Sequence, residues 1–382
     1  MANERSFLSP RVLFGNGVIS GLPAELGRMG VKRALLLTTK MSRSTAPKRV
    51  IDMLSAAGIE SVHFSAIEAE PSVASAEAAM ETMSGSKADV VIGLGGGSAL
   101  DVAKTVALAS TNGGIRSVFG VNKAARPGTP HILIPTTSGT GSEATNVAVL
   151  TDQDKKKAVV YSDYLIPALA LVDPELTYTM PREVTAHTGM DALTHSIEAY
   201  LSVNSSHMSD ATALKAIELI ANSLPAAYSS PTDQRARHDM SLAALLGGMS
   251  IANAGTRGDG CYLAGAGIAH AVGLATGTMY SLPHGLSVGM VLPAEMRLLE
   301  SVSEARLAKI SMALGGDGTR GSAVRIVESI MEQTAIDRKL GRDAGGNIDA
   351  IIDGSMMAKR LLLNMPMEIT REHMRTVVSA IV

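Results

Sequence analysis

Residues 89–104 read DVVIGLGGGSALDVAK, an apolar run that ends in glycines and a serine before a segment with helical patterning. The run over 89–94 is too short for a helix and rich in Val, Ile and Leu, so it reads as a strand buried on both faces. The segment 99–110 carries apolar residues at helical spacing. A strand that turns through glycines into a helix sets the backbone N–H groups of Gly95, Gly96, Gly97 and Ser98 at a helix amino end. There the macrodipole and the missing side chains suit a phosphate. The pattern departs from the dinucleotide fingerprint: counted from Gly93, Ser98 stands where G-x-G-x-x-G has its last glycine, and the turn follows the third strand, not the first. A tight structural turn would use the same residues.

Outward from this turn the chain alternates. Before it come an opening that reads as a short hairpin (9–20, SPRVLFGNGVIS), a strand over 34–38, a helix over 44–58 capped by Ser44 and stopped by Gly58, a strand over 61–66 and a helix over 73–83. After it comes the strand HILIP at 131–135, running into PTTSGTGSEAT (135–145), whose hydroxyls and glycines form a polar loop suited to ribose and phosphate. Alternating strands and helices predict an α/β unit with a mostly parallel sheet covered on both faces. Near Pro181 the texture changes to successive amphipathic helices (209–228, 239–254, 302–314, 322–334, 371–381). We therefore expect a dinucleotide-binding α/β domain over 1–180 and an all-helical domain over 181–382.

Composition narrows the function. The chain has 382 residues, 46% hydrophobic and 18% charged, with a formal net charge of -2. This fits a globular protein acting on small molecules and gives no basic surface for nucleic acid or anionic lipid. No apolar run approaches the ~18 residues that span a bilayer. The single Cys261 forms no internal disulfide and the opening residues carry no signal-peptide pattern, so a cytoplasmic location is expected.

The helical half holds the chemistry. In TGMDALTHSIEAY (188–200), Asp191 and His195 stand one turn apart, so a carboxylate oxygen and an imidazole nitrogen converge on one side of a helix, and Glu198 continues that face. The competing reading has Thr188 capping the helix, Asp191 closing a capping box and His195 as a core residue. Downstream, in AGIAHAVGLATGTMYSLPHGLS, His270 and His284 lie in an apolar, glycine-rich setting with few other polar partners. One carboxylate and three imidazoles make a plausible divalent-metal set.

Taken together and in this order, GGGSALDVAK, PTTSGTGSEAT, LVDPELT (171–177), TGMDALTHSIEAYLS and LPHGLSVGMVLP resemble the iron-containing, or group III, alcohol dehydrogenases. The resemblance implies a dehydroquinate synthase-like fold with a metal and a nicotinamide cofactor in the cleft between the two domains. By position it implies ligands at Asp191, His195, His270 and His284, binding Fe(II) or, by the affinity order of divalent metals, Zn(II). It implies NAD or NADP contacts at Gly95, Gly96, Gly97, Ser98, Thr136, Thr137, Thr140 and, more loosely, Lys157. The implied reaction is reversible hydride transfer between a small alcohol or aldehyde and the nicotinamide, with the cation as Lewis acid toward the alcohol oxygen. A homodimer also follows from the resemblance. Relatives of the same architecture act on acidic or polyol substrates, as maleylacetate reductase, hydroxyacid-oxoacid transhydrogenase and glycerol dehydrogenase do. A cofactor-binding relative without turnover is a further alternative.

Two departures stand out. Where the family usually carries a further His after the third ligand, this chain has Leu274. Between Ala254-Gly255 and His270 the chain has an apparent insertion, TRGDGCYLAGAGIA, in which Arg257 is the lone basic candidate for an acidic substrate. The insertion is expected to tune substrate range. Cofactor choice is read at the residue after the first strand, Thr39, where NAD-preferring relatives place Asp. Thr39 lacks the charge that repels a 2′-phosphate, and Lys40 and Arg43 follow it, so NADP should be accepted.

Overall fold

The computed structural model describes residues 7–40, 45–255 and 264–382, with the backbone alone for 257–258, 261–262 and 342–344. The amino-terminal half is a six-stranded sheet whose spatial order is β1 (Val12–Phe14), β9 (Leu169–Val172), β6 (His131–Pro135), β4 (Val90–Gly95), β2 (Arg33–Thr39), β3 (Glu60–Ile67). Every neighbouring pair in it is parallel. Alternate side chains of each inner strand bury in opposite layers, as the period of two requires. Leu35, Leu37, Val91 and Leu133 pack with α3 (Val73–Ser86) and α4 (Gly97–Ala109). Leu36, Ile92, Ile132 and Ile134 pack with α1 (Leu22–Arg28) and α2 (Ala46–Ala56). A small second sheet joins β5 (Gly120–Val121), β8 (Lys157–Tyr161) and β7 (Val147–Thr151).

The opening segment is not a hairpin. β1 pairs in parallel with β9, and the chain then enters a 3-10 turn at Val18–Gly21. The cause is Asp173 of LVDPELT: its carboxylate accepts from the N–H groups of Gly17 (3.0 Å) and Ile19 (3.1 Å) and holds the chain in a turn where a second strand would have begun. Gly58, at φ 70°, ends the connection after α2 as expected, whereas the Ser44 cap lies outside the described residues.

From Arg182 the chain is helical: α5 (Arg182–Leu201), α6 (His207–Ser229), α7 (Gln234–Asn253), α8 (Ile268–Tyr280), α9 (His284–Leu298) and α10 to α14 (Glu304–Ala313, Ser322–Gln333, Ile348–Met356, Lys359–Leu362, Arg371–Ile381). One apolar cluster runs through these helices, with Met190, Leu193, Ile197, Ile217, Val291 and Val327 fully buried. The expected insertion contains two short antiparallel strands, Arg257–Gly258 and Cys261–Tyr262, while the side chains of Arg257 and Cys261 lie outside the described residues. Its exit is fixed: buried Asn364 donates to the carbonyls of Ala264 (3.1 Å) and Ala266 (2.8 Å). No described helix is long and apolar enough to cross a membrane.

Candidate metal centre and cofactor cleft

The sheet order reverses between β2 and β4, since the chain moves outward to β3 and then returns to the other side of β2. Crevices at such switch points, beyond the carboxyl ends of the strands, are where open α/β sheets bind ligands. Here the crevice is bounded by Thr39, ending β2, and by the glycine turn after β4. The N–H groups of Gly97 and Ser98 open α4 and have no carbonyl of that helix to donate to. Facing them is the PTTSGTGSEAT loop. A Cβ on Gly96 would lie 3.3 Å from Thr137 Cγ2, and one on Gly97 would lie 2.8 Å from Thr140 Cγ2. The missing side chains let Thr137 and Thr140 pack directly against the turn. Ser98 turns its hydroxyl away, donating to the carbonyl of Ala69, so its backbone is the part that faces the turn.

The later residues of GGGSALDVAK hold this cradle together, a role the sequence pattern alone left unassigned. Lys104 is fully buried and its Nζ donates to the carbonyls of Ser142 (2.9 Å) and Val147 (2.5 Å) and to Thr145 Oγ1 (3.0 Å). Asp101 accepts from Ser142 Oγ (2.6 Å) and from the Val149 N–H (2.9 Å). A buried ammonium stays charged only if its donors are met, and here carbonyls and the Asp101 carboxylate at 3.5 Å meet them. Burial still pulls the Lys104 pKa down. Thr136 N–H donates to Gly95 O at 2.9 Å and closes the cradle from the strand side.

The same polar loop reaches the helical half. A Cβ on Gly139 would fall 2.5 Å from Thr188 Cβ, so the loop touches α5 one turn before Asp191. Thr188 does not cap this helix. Its hydroxyl donates to the Val184 carbonyl at 2.7 Å in mid-helix, because α5 begins at Arg182, and the capping-box reading of Asp191 falls with it.

Asp191 is the hub of the second half of the cleft. Among the described residues its Oδ1 is buried without a hydrogen-bond partner. Around that atom stand His195 Nε2 at 3.8 Å, His270 Nε2 at 3.9 Å and His284 Nε2 at 3.6 Å. Ligand atoms of Asp191, His195 and His270 all lie within 4.8 Å of one another. A tetrahedral cation with bonds of about 2.1 Å sets its ligands about 3.4 Å apart, so the spacing suits one divalent ion with a small inward adjustment. His195 and His270 stack, with ring centroids 4.8 Å apart, and His284 tilts over His270 at 5.4 Å. His284 opens α9 at the rim, its side chain 40% exposed, while the others are buried.

The electrostatics match. Burial lowers the pKa of His195 and of His270 to about 4, against the pull of Asp191, and lowers that of His284 as well. The imidazoles are therefore neutral near pH 7, with lone pairs available. Burial opposes ionisation of Asp191, yet its pKa falls, because in acid, where His195, His284 and His270 take up protons, their charges attract the carboxylate. A buried carboxylate beside neutral imidazoles is a donor set short of positive charge.

Other predicted residues fall nearby. Lys157 donates to Glu70 Oε2 (2.6 Å) and Thr151 Oγ1 (3.1 Å), and the charges of Lys157 and Glu70 are felt at His284. Leu274 packs, part-buried, in a cluster with Ala199, Ile251, Ala271 and Leu361 that also takes in Val147 and Tyr161 from the sheet half. Lys40 is exposed, and Arg43 lies outside the described residues. Two buried carboxylates behind His270, Glu198 and Glu295, complete the centre. Glu198 lies on the helix face of Asp191 and His195 that the sequence singles out, but Glu295, on α9, carries no local signal.

A glycine turn at a sheet switch point, joined through one polar loop to a carboxylate-imidazole centre, is the arrangement expected of a metal- and dinucleotide-dependent enzyme. Comparison with known proteins narrows this. Residues 9–174 match the model of the iron-containing alcohol dehydrogenases and residues 185–382 that of the Fe-containing alcohol dehydrogenase family, C-terminal. The chain belongs to the iron-containing alcohol dehydrogenase family. It is 35% identical over 396 aligned positions to long-chain-alcohol dehydrogenase 1 of Geobacillus thermodenitrificans, covering 100% of this chain and 97% of that one. A crystal structure of a 1,3-propanediol oxidoreductase superposes with a TM-score of 0.91 at 28% identity, covering 99% of both chains. The sulfoacetaldehyde reductase of Bifidobacterium kashiwanohense, in complex with NAD+, superposes with a TM-score of 0.88 at 27% identity, covering 99% of this chain and 98% of that one.

Proposed function

We propose that this chain interconverts small aliphatic alcohols and aldehydes, with Asp191, His195, His270 and His284 holding one divalent cation, iron by family and zinc as a competent substitute. The observation that carries the reading is the partnerless Asp191 Oδ1 ringed by the imidazole nitrogens. When bound, the cation supplies Lewis acidity to the alcohol oxygen and the nicotinamide accepts or returns the hydride. The protein's part is placement. Gly95, Gly96, Gly97 and Ser98 cradle the pyrophosphate, and Thr136, Thr137 and Thr140 wall the opposite side. Lys157 lines the cleft near His284. Thr39 borders the ribose and leaves room for a 2′-phosphate, so NADP is accepted beside NAD. We take residues 1–180 and 181–382 as the two domains, a homodimer as the assembly and the cytoplasm as the location.

Two observations favour an apolar substrate over an acidic one. Leu274 lies one turn beyond His270 on α8, in an alanine-rich and leucine-rich cluster. Lys157 is already paired with Glu70. The test is a steady-state assay of the iron-loaded protein with a panel of aliphatic alcohols and aldehydes, 2-hydroxy acids and polyols, with NADH and NADPH. The highest kcat/KM should fall on the aliphatic pairs, and a preference for acids by tenfold or more, ~1.4 kcal/mol, would overturn the substrate assignment.

A further inference from the structure

Behind His270 the structure places two carboxylates that the reaction itself does not use. Glu198 follows Asp191 and His195 on α5 and is fully buried. Its Oε2 accepts from His270 Nδ1, and its Oε1 accepts from the backbone N–H of the same residue at 3.2 Å. Held at two points, His270 has Nδ1 committed and Nε2 turned toward Asp191, buried and without a hydrogen-bond partner among the described residues. Glu295 comes from α9, the helix that begins with His284, and is also fully buried. Its Oε2 accepts from the Ala269 N–H at 2.8 Å, so the two carboxylates take successive amides at the amino end of α8. Gly267 admits them: a Cβ there would lie 2.9 Å from Glu295 Oε1.

Glu198 uses one oxygen on the ring of His270 and the other on its backbone N–H, whereas Glu295 takes the single amide of Ala269. Carboxylates that bind the outer nitrogen of a ligating imidazole fix its tautomer and ring orientation and raise its basicity. We propose that Glu198 and Glu295 are positioning residues for the metal centre: Glu198 sets His270 with Nε2 inward, and Glu295, through the Ala269 N–H, holds the amino end of α8 that carries His270. The pair thereby ties together the three helices that carry the ligands.

The inference rests on the metal centre proposed above and makes a distinct claim, that the two carboxylates are not equivalent. A glutamine keeps one acceptor oxygen, enough for the single amide that Glu295 takes, whereas Glu198 needs both of its oxygens for the two donors of His270. The test compares wild type, Glu198→Gln, Glu295→Gln and Glu295→Ala. Metal-free folding is followed by thermal melting, Co(II) and Zn(II) affinity by chelator competition, and the Co(II) visible spectrum reports ligand geometry. Glu198→Gln should weaken metal binding by about 10- to 100-fold and alter the Co(II) spectrum. Glu295→Gln should stay within about threefold with an unchanged spectrum, and Glu295→Ala should fall between them. Equal effects of the two glutamine variants, or a Glu198→Gln variant that binds as wild type does, would overturn the proposal. A wild type that takes up no metal would instead remove the metal centre itself, and the proposal with it.

Discussion

The two ends of the cleft are built on opposite principles. The dinucleotide end is made of what is missing: glycines that leave backbone N–H groups bare, with Thr137 and Thr140 filling the space where side chains would have stood. The metal end is made of what is present: charged and polar side chains buried in a helical core, each needing a partner to offset desolvation. The first is local in sequence, one turn and one loop. The second draws on α5, α8 and α9, and its geometry depends on how closely those helices approach. Damage should therefore spread differently from the two ends.

The largest effect is expected at the metal end. Gly285 follows His284 where α9 meets α5, and a Cβ there would lie 2.0 Å from the His187 carbonyl oxygen and 3.1 Å from Asp191 Cβ. Backbone cannot yield as a side chain would, so Gly285→Ala must push α9 away and carry His284 with it. We expect about 3 kcal/mol of destabilisation by denaturant unfolding and loss of stoichiometric metal. Wild-type metal content in this variant would mean that helix spacing does not set the centre.

A smaller and more confined effect is expected at the other end. In Gly97→Ala the added Cβ meets Thr140 Cγ2 at 2.8 Å, on the face where the pyrophosphate would approach. Dinucleotide affinity, measured by fluorescence titration, should fall by about 30-fold, or ~2 kcal/mol, with metal affinity unchanged. Loss of metal in this variant would erase the contrast between the two ends.

The smallest effect is at the rim of the cradle. Thr39→Asp places a carboxylate at the end of β2, and the ratio of kcat/KM for NADPH over NADH should drop by about tenfold, ~1.4 kcal/mol. An unchanged ratio, or a wild type that rejects NADPH, would show that Thr39 does not face the 2′ position.

How far each end could be read beforehand follows from the same contrast. Residues 89–104 announced strand, turn and helix because period and glycine content are local properties. Asp191 and His195 announced a shared face because one turn of helix relates them. That His270 and His284 come to the same atom required the packing of α8 and α9 on α5, which no local pattern encodes. Glu295 was invisible for this reason, lying far along α9 from His284, and so was the clamp of Lys104 and Asp101 on the polar loop. The opening hairpin was misread because Asp173, remote in sequence, captures the turn at Gly17 and Ile19.

The central claim is that Asp191 and its three imidazoles form one cation site. The most direct measurement is metal content and affinity after anaerobic loading with Fe(II) and, separately, Zn(II), for wild type, Asp191→Ala and His284→Ala, with circular dichroism as the control for folding. The account predicts one ion per chain in the wild type and an affinity lower by more than about 100-fold in each variant, beyond the range for loss of a merely supporting residue. Folded variants that keep the wild-type stoichiometry and affinity would contradict it.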